Sequence, residues 1–123
     1  MDQLAAEKKE ALEVAADYID KLIPGIGTLC MELRGRRQDD TDTFCKQCVD
    51  GLNWMIEVYN RTSDLLDSEK ISMQKQGLNE GLMKLGAAIQ EKDEIRMAEL
   101  LESVAVPFLK NFQEAAKEAA TKL

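Results

Sequence analysis

The chain has 123 residues, 45% of them hydrophobic and 32% charged, with a net charge of −7 and no histidine. That balance is too apolar for a disordered chain, and the length suits one domain, residues 1–123, with a core of its own. Acidic residues outnumber basic ones 23 to 16, and the main basic cluster, Arg34, Arg36 and Arg37, is followed at once by Asp39, Asp40 and Asp42. No nucleic-acid partner is therefore expected, since phosphate backbones reward clustered Lys and Arg.

Three cysteines make an odd number, too few for a disulfide framework, which points to a reducing compartment and a cytoplasmic protein. The run Met1 to Glu10 has no apolar h-region, so no signal peptide is expected. No uncharged apolar run approaches the ~20 residues needed to span a bilayer, so no membrane span is expected either.

Only two prolines and seven glycines interrupt the chain, and the apolar residues step by three and four. Helix 1 is predicted from about Asp2 to Arg36, with Leu4, Ala11, Ala15, Tyr18, Ile19, Leu22, Ile26, Leu29 and Leu33 inward. Pro24 lies inside it, and the stripe keeps its phase beyond, which predicts a kink rather than a break. A polar turn from Arg36 to Asp40 follows, with Asp40 or Thr41 capping helix 2. Helix 2 runs to about Leu66 on the stripe Phe44, Cys45, Cys48, Leu52, Met55, Ile56, Tyr59 and Leu66, flanked by Gly51, Trp54 and Val58.

Asp67-Ser68 caps helix 3, Glu69 to Gln90, with Ile71, Leu78, Leu82, Leu85 and Ile89 inward. Asp93 caps helix 4, Glu94 to Leu123, on the stripe Met97, Leu101, Val104, Phe108, Phe112, Ala115, Ala116 and Ala119, with Pro107 inside and a second kink expected there. Asp17–Lys21, Glu32–Arg36, Glu57–Arg61, Glu80–Lys84 and Glu118–Lys122 each place an acid four residues before a base, which favours a helical ion pair. No stretch alternates with period two, so no sheet is expected. Short connections make consecutive helices antiparallel neighbours, and the fold class is an all-α, up-down-up-down four-helix bundle.

Without histidine the chain lacks the commonest general base, metal ligand and haem ligand. Paired Glu-x-x-His motifs, which a di-iron bundle needs, are excluded, and the acids fall mostly between the apolar positions. The chain is therefore read as not an enzyme, with no cofactor and no metal. Cys45-x-x-Cys48 puts two sulfurs on one helical face, but zinc needs more ligands than Cys30 can add, and no strand precedes the motif as redox pairs require. Both are read as free, reduced, largely buried core residues. Pro24-Gly25-Ile26-Gly27 lacks the preceding strand and the Lys-Ser/Thr ending of a phosphate loop.

Three stretches carry a family likeness: Asp17-Tyr18-Ile19-Asp20-Lys21-Leu22-Ile23-Pro24-Gly25-Ile26, Gly51-Leu52-Asn53-Trp54-Met55-Ile56-Glu57, and Ala98-Glu99-Leu100-Leu101-Glu102 with Val106-Pro107-Phe108-Leu109. Together they resemble a family of small uncharacterised helical proteins of Gram-positive bacteria. The resemblance implies no activity, cofactor or catalytic residue.

The expected function is a non-enzymatic protein-interaction module, an adaptor or chaperone of another helical protein, resting on the wide apolar helix faces. The alternative is a binder of a small apolar ligand inside the bundle, and a third reading is a cysteine-based metal or redox sensor. The candidate site is a waist. Counted from the end where helix 1 finishes, Pro24, Trp54, Leu78 and Pro107 fall near one height, roughly 20 Å in at 1.5 Å per residue, with Phe108 beside them. Alanines at the start of helix 1 (Ala5, Ala6, Ala11, Ala15, Ala16) and the end of helix 4 (Ala115, Ala116, Ala119, Ala120) predict close packing of those two helices, and their projecting ends are the expected homodimer contact.

Overall fold

The computed structural model describes residues 2–62, 64, 66 and 68–122, with side chains for 6–62, 64, 66 and 77–122. Four helices follow one another, α1 (Asp2–Leu33), α2 (Thr41–Thr62), α3 (Ser68–Glu91) and a fourth built of α4 (Glu94–Leu100), a π-helical turn (Leu101–Ala105) and α5 (Val106–Lys122). Among the described residues there is no strand. The fold is an all-α four-helix bundle.

Side-chain pairings fix the arrangement. Along α1 and α2, Glu32 meets Thr41, Tyr18 meets Trp54, and Lys8 meets Asp64, so the two helices run antiparallel. Between α1 and the fourth helix, the Cys30 thiol donates to the Ala98 carbonyl at 3.6 Å, and the Gln113 amide donates to the Ala16 carbonyl at 2.9 Å and to Asp20 at 2.6 Å. Gly81 of α3 lies against Val104, which makes α3 a neighbour of the fourth helix. The alanine-rich ends of α1 and α5 do pack on each other, with Ala15, Ala16, Ala116, Ala119 and Ala120 buried. The side chains of Leu4, Ala5 and Ile71, all assigned inward or packing roles from sequence, lie outside the described set.

The core is one cluster drawn from all four helices. Ile19, Ile26, Leu29, Leu52, Met55, Tyr59, Leu101, Leu109 and Phe112 are fully buried. Burying each large apolar side chain is worth about 1.5–3 kcal/mol, so the α1 arc alone outweighs any surface pairing. Leu12, Cys30 and Leu109 are also buried, outside the expected stripes, because a helix with two neighbours buries an arc wider than one stripe.

Helix 1 stops at Leu33, three residues before the expected Arg36. Gly35 adopts a φ of 122°, its N–H bonds to the Glu32 carbonyl, and the Arg36 N–H reaches back to Met31. This is a Schellman ending, which needs a left-handed residue just past the helix. It also removes the expected Glu32–Arg36 pair, since Arg36 no longer lies on the helix. Glu32 instead turns inward, where the buried Thr41 hydroxyl donates to its carboxylate at 2.7 Å and accepts from the Gln38 N–H at 2.8 Å. Thr41 thus ties the turn to α1 rather than capping α2. Helix 2 ends at Thr62, short of the expected Leu66, with the Thr62 hydroxyl donating to the Val58 carbonyl. Three of the other expected pairs form, at Glu57–Arg61, Glu80–Lys84 and Glu118–Lys122. Asp93 caps the fourth helix as expected, accepting from the Arg96 N–H at 3.2 Å.

Neither proline breaks its helix. Through Pro24, α1 is continuous, and the Thr28 hydroxyl donates to the Pro24 carbonyl. At Pro107 the chain takes the π turn first, with the Val106 N–H bonding five residues back to Leu101. A proline ring inside a regular α-helix clashes with the carbonyl four residues earlier, and a wide turn just before it makes room.

The α3 ending repeats the Schellman pattern with Lys92 in the glycine position, at φ 56°. A side chain there costs about 1 kcal/mol. Lys92→Gly should therefore raise stability relative to Lys92→Ala by about 0.5–1 kcal/mol in urea melts. Equal stabilities of the two variants would show that the backbone is not strained at this turn.

Candidate functional site

The five waist residues occupy two faces. Leu78, Pro107 and Phe108 line one open groove of about 250 Å³ between α3 and the fourth helix, together with Gly77 and the polar Ser103 and Asn111. The groove exists because the two helices touch at Gly81 and diverge a single turn away. A Cβ on Gly81 would sit 2.6 Å from Val104, whereas one on Gly77 would meet nothing within 4 Å. Trp54 is elsewhere, edge-on to Tyr18 with ring centroids 5.0 Å apart, on the seam of α1 and α2. Pro24 is exposed on α1 and lines no described groove. Trp54 packs on Tyr18 and not beside Pro24, which lies about 9 Å further along α1 at 1.5 Å per residue. Direction also turns by 100° per residue, so Met55 is buried while Trp54 remains 43% exposed.

Trp54 is held rather than loose. Tyr18 fits beside α2 only because Gly51 has no side chain, since a Cβ there would overlap the Tyr18 hydroxyl. Phe108 belongs to a second aromatic group, with Tyr59 edge-on to both Phe108 and Phe112 at 5.2 and 5.4 Å. The Tyr59 hydroxyl is buried with no hydrogen-bond partner among the described residues, and burial pushes its pKa up. Apolar spacing places Tyr59 in the core but carries no sign that its hydroxyl goes unpaired.

A larger pocket, of about 440 Å³, opens at the end of the bundle where the α1–α2 and α3–α4 turns meet. Its wall is apolar, from Leu33, Cys45, Val49, Ile89 and Met97, and its rim is charged, from Arg37, Asp42, Lys46, Lys92 and Glu94. Arg37 organises the rim, donating to Asp42 at 2.7 Å and from Nε to Glu94 at 2.8 Å. The hydrogen bond from Arg37 holds the Asp42 carboxyl below its usual range. Arg34 grips Glu102 with both nitrogens nearby. These exposed pairs position the turn more than they stabilise it. Sequence reasoning misses this pocket, whose only local trace is the spacing of Asp42, Cys45, Lys46 and Val49 along one side of α2.

The cysteines are all free; Cys30 and Cys48 are buried, and Cys45 is half-buried in the pocket wall. Desolvation pushes the Cys30 and Cys48 thiols up to about 11 and raises Cys45 as well, so thiolate is scarce at neutral pH. Among the described residues no three Cys, Asp or Glu side chains are placed to hold a metal ion.

The unpaired Tyr59 hydroxyl makes a direct test of the core. Removing a buried polar group that has no partner costs nothing in hydrogen bonding, so Tyr59→Phe should leave the unfolding free energy unchanged or raise it by up to about 1 kcal/mol. A loss of more than about 1 kcal/mol would reveal a hydrogen bond to that hydroxyl.

Comparison with curated proteins and with solved structures returns no match. Comparison with protein families returns one, described as a domain of unknown function, DUF8042, over residues 10–115. That span takes in α2 and α3 whole, most of α1 and the fourth helix, both grooves and the Trp54 seam. No described helix is long and apolar enough to cross a membrane. The bundle, with the surface features just described, belongs to the DUF8042 family.

Proposed function

We propose that the protein is a non-enzymatic interaction module, an adaptor or chaperone-like bundle of the bacterial cytoplasm that takes another protein, itself helical, on the face shared by α1 and α2. The observation that carries this reading is Trp54. It is the one tryptophan of the chain, nearly half exposed, and fixed edge-on by a tyrosine that a glycine admits. Binding energy concentrates in such aromatic anchors, and an anchor already immobilised loses little entropy on docking. The absence of histidine and the raised thiol pKa values support a role without catalysis. In this reading the bends expected at Pro24 and Pro107 shape the two faces of the bundle. The grooves described open to the surface, which favours a docked partner over a ligand sealed within the bundle.

A second reading, capture of a small ligand, is favoured by one observation, the apolar pocket with a charged rim at the turn end. It concerns a different face and does not compete for Trp54.

Affinity capture from the native organism, compared between the wild-type chain and Trp54→Ala, tests the first reading. The variant should lose the captured protein while its thermal midpoint moves by no more than about 5 °C, what an exposed aromatic pair is worth in a domain of this size. Met83→Ala, a change at a side chain 77% exposed elsewhere, should leave capture intact. Unchanged capture by Trp54→Ala would refute the reading. Chromatography of the same samples reports whether the partner is a second copy of the chain.

A further inference from the structure

We propose that the pocket at the turn end is a site for one small anionic amphipath, a free medium-chain carboxylate, with its chain against Val49, Ile89 and Met97 and its head group between Lys46 and Lys92. The proposal rests on the second reading above and is independent of the Trp54 face.

Shape gives the first argument. The wall draws one or two residues from each of the four helices, and Leu33 and Met97 at its base are buried in the core, so the concavity is preformed. A volume of about 440 Å³ lies within the roughly 300–1,000 Å³ of sites for single small molecules. A continuous apolar wall with charge confined to the rim selects a ligand with an apolar body and one polar end.

Charge gives the sign of that end. Three cations and two anions border the pocket, on a chain whose net charge is −7. Both anions, Asp42 and Glu94, are already hydrogen-bonded to Arg37. Lys46 and Lys92 have no ion-pair partner among the described residues. A cationic head group would compete with Arg37 for its carboxylates and face two lysines, whereas a carboxylate meets two ammonium groups without displacing any existing pair. The same strip of wall and rim would take an acidic, apolar peptide, but the pocket ends within the bundle tip instead of running along it, which suits a short chain.

Calorimetric titration and methyl NMR of the full chain test this, with octanoate, decanoate and decyltrimethylammonium as probes, each below its micelle concentration. Decanoate should saturate at one per chain and shift the methyl signals of Val49, Ile89 and Met97. It should bind roughly tenfold tighter than octanoate, the effect of burying two more methylenes. Decyltrimethylammonium should bind roughly tenfold more weakly than decanoate or worse. The double variant Lys46→Glu, Lys92→Glu, both exposed positions, should keep its helical circular dichroism and reverse the preference between the two head groups. Trp54→Ala should bind decanoate as the wild type does, so a failure here leaves the interaction face untouched, and the converse holds. Equal affinity for both head groups, no saturation below the micelle concentration, or shifts centred on the Leu78–Phe108 groove would each overturn the proposal.

Discussion

The buried arc of α1 is the constraint on which the other features depend. α1 contacts both α2 and the fourth helix, so its apolar positions have to serve two neighbours at once. Ile19, Ile26 and Leu29 are sealed from solvent in this arrangement, and small residues at Ala15 and Ala16 let α5 approach on one side. Hydrophobic burial on this scale fixes the position of α1 but is not directional, so polar contacts set the register. Gln113 spans Ala16 and Asp20 along one side, and the Glu32–Thr41 bond locks the turn at the other end. A buried carboxylate is tolerable there because a hydroxyl donates to it.

With α1 placed, the surface features follow from local volume. Glycines at 51 and 81 bring helices together, the first to seat Tyr18 and the second to seat Val104. Where the chain has no such contact, helices diverge and grooves open, beside Gly77 on one face and between the two turns at the bundle end. The two turns share one physical device, a left-handed residue closing a helix, once with glycine and once with a strained lysine. That lysine is also a rim residue of the end pocket.

Helix number, order and the inward positions of α1, α2 and the fourth helix are legible from apolar spacing alone, because 3.6-residue periodicity is a direct image of burial. The ending at Leu33 departs from the expected Arg36 because Gly35 closes the helix, a stop that the Glu32–Arg36 charge spacing points past. The inward turn of Glu32 is not, because a glutamate on a helix reads as solvent-facing until its partner nine residues on is known. The π turn before Pro107 leaves no residue signature distinct from the proline itself. Of the candidate site, Leu78, Pro107 and Phe108 do share a groove, while Trp54 and Pro24 lie on other faces. Counting along helices depends on where each helix ends and carries no azimuth, and the azimuth of a residue at the edge of a stripe depends on how neighbouring helices cross. The end pocket is illegible for a related reason, as it is assembled from short pieces of every helix that have no common pattern.

If α1 is the shared wall, it has no local route to opening, and exposing it dismantles the contacts of α2 and the fourth helix together. Native-state amide hydrogen exchange tests this most directly. The slowest amides of α1 between Leu12 and Leu33 should exchange only through global unfolding, with an opening free energy equal to that from a denaturant melt of the same protein. Exchange of those amides at a lower free energy, while α2 and α5 stay protected, would contradict the account.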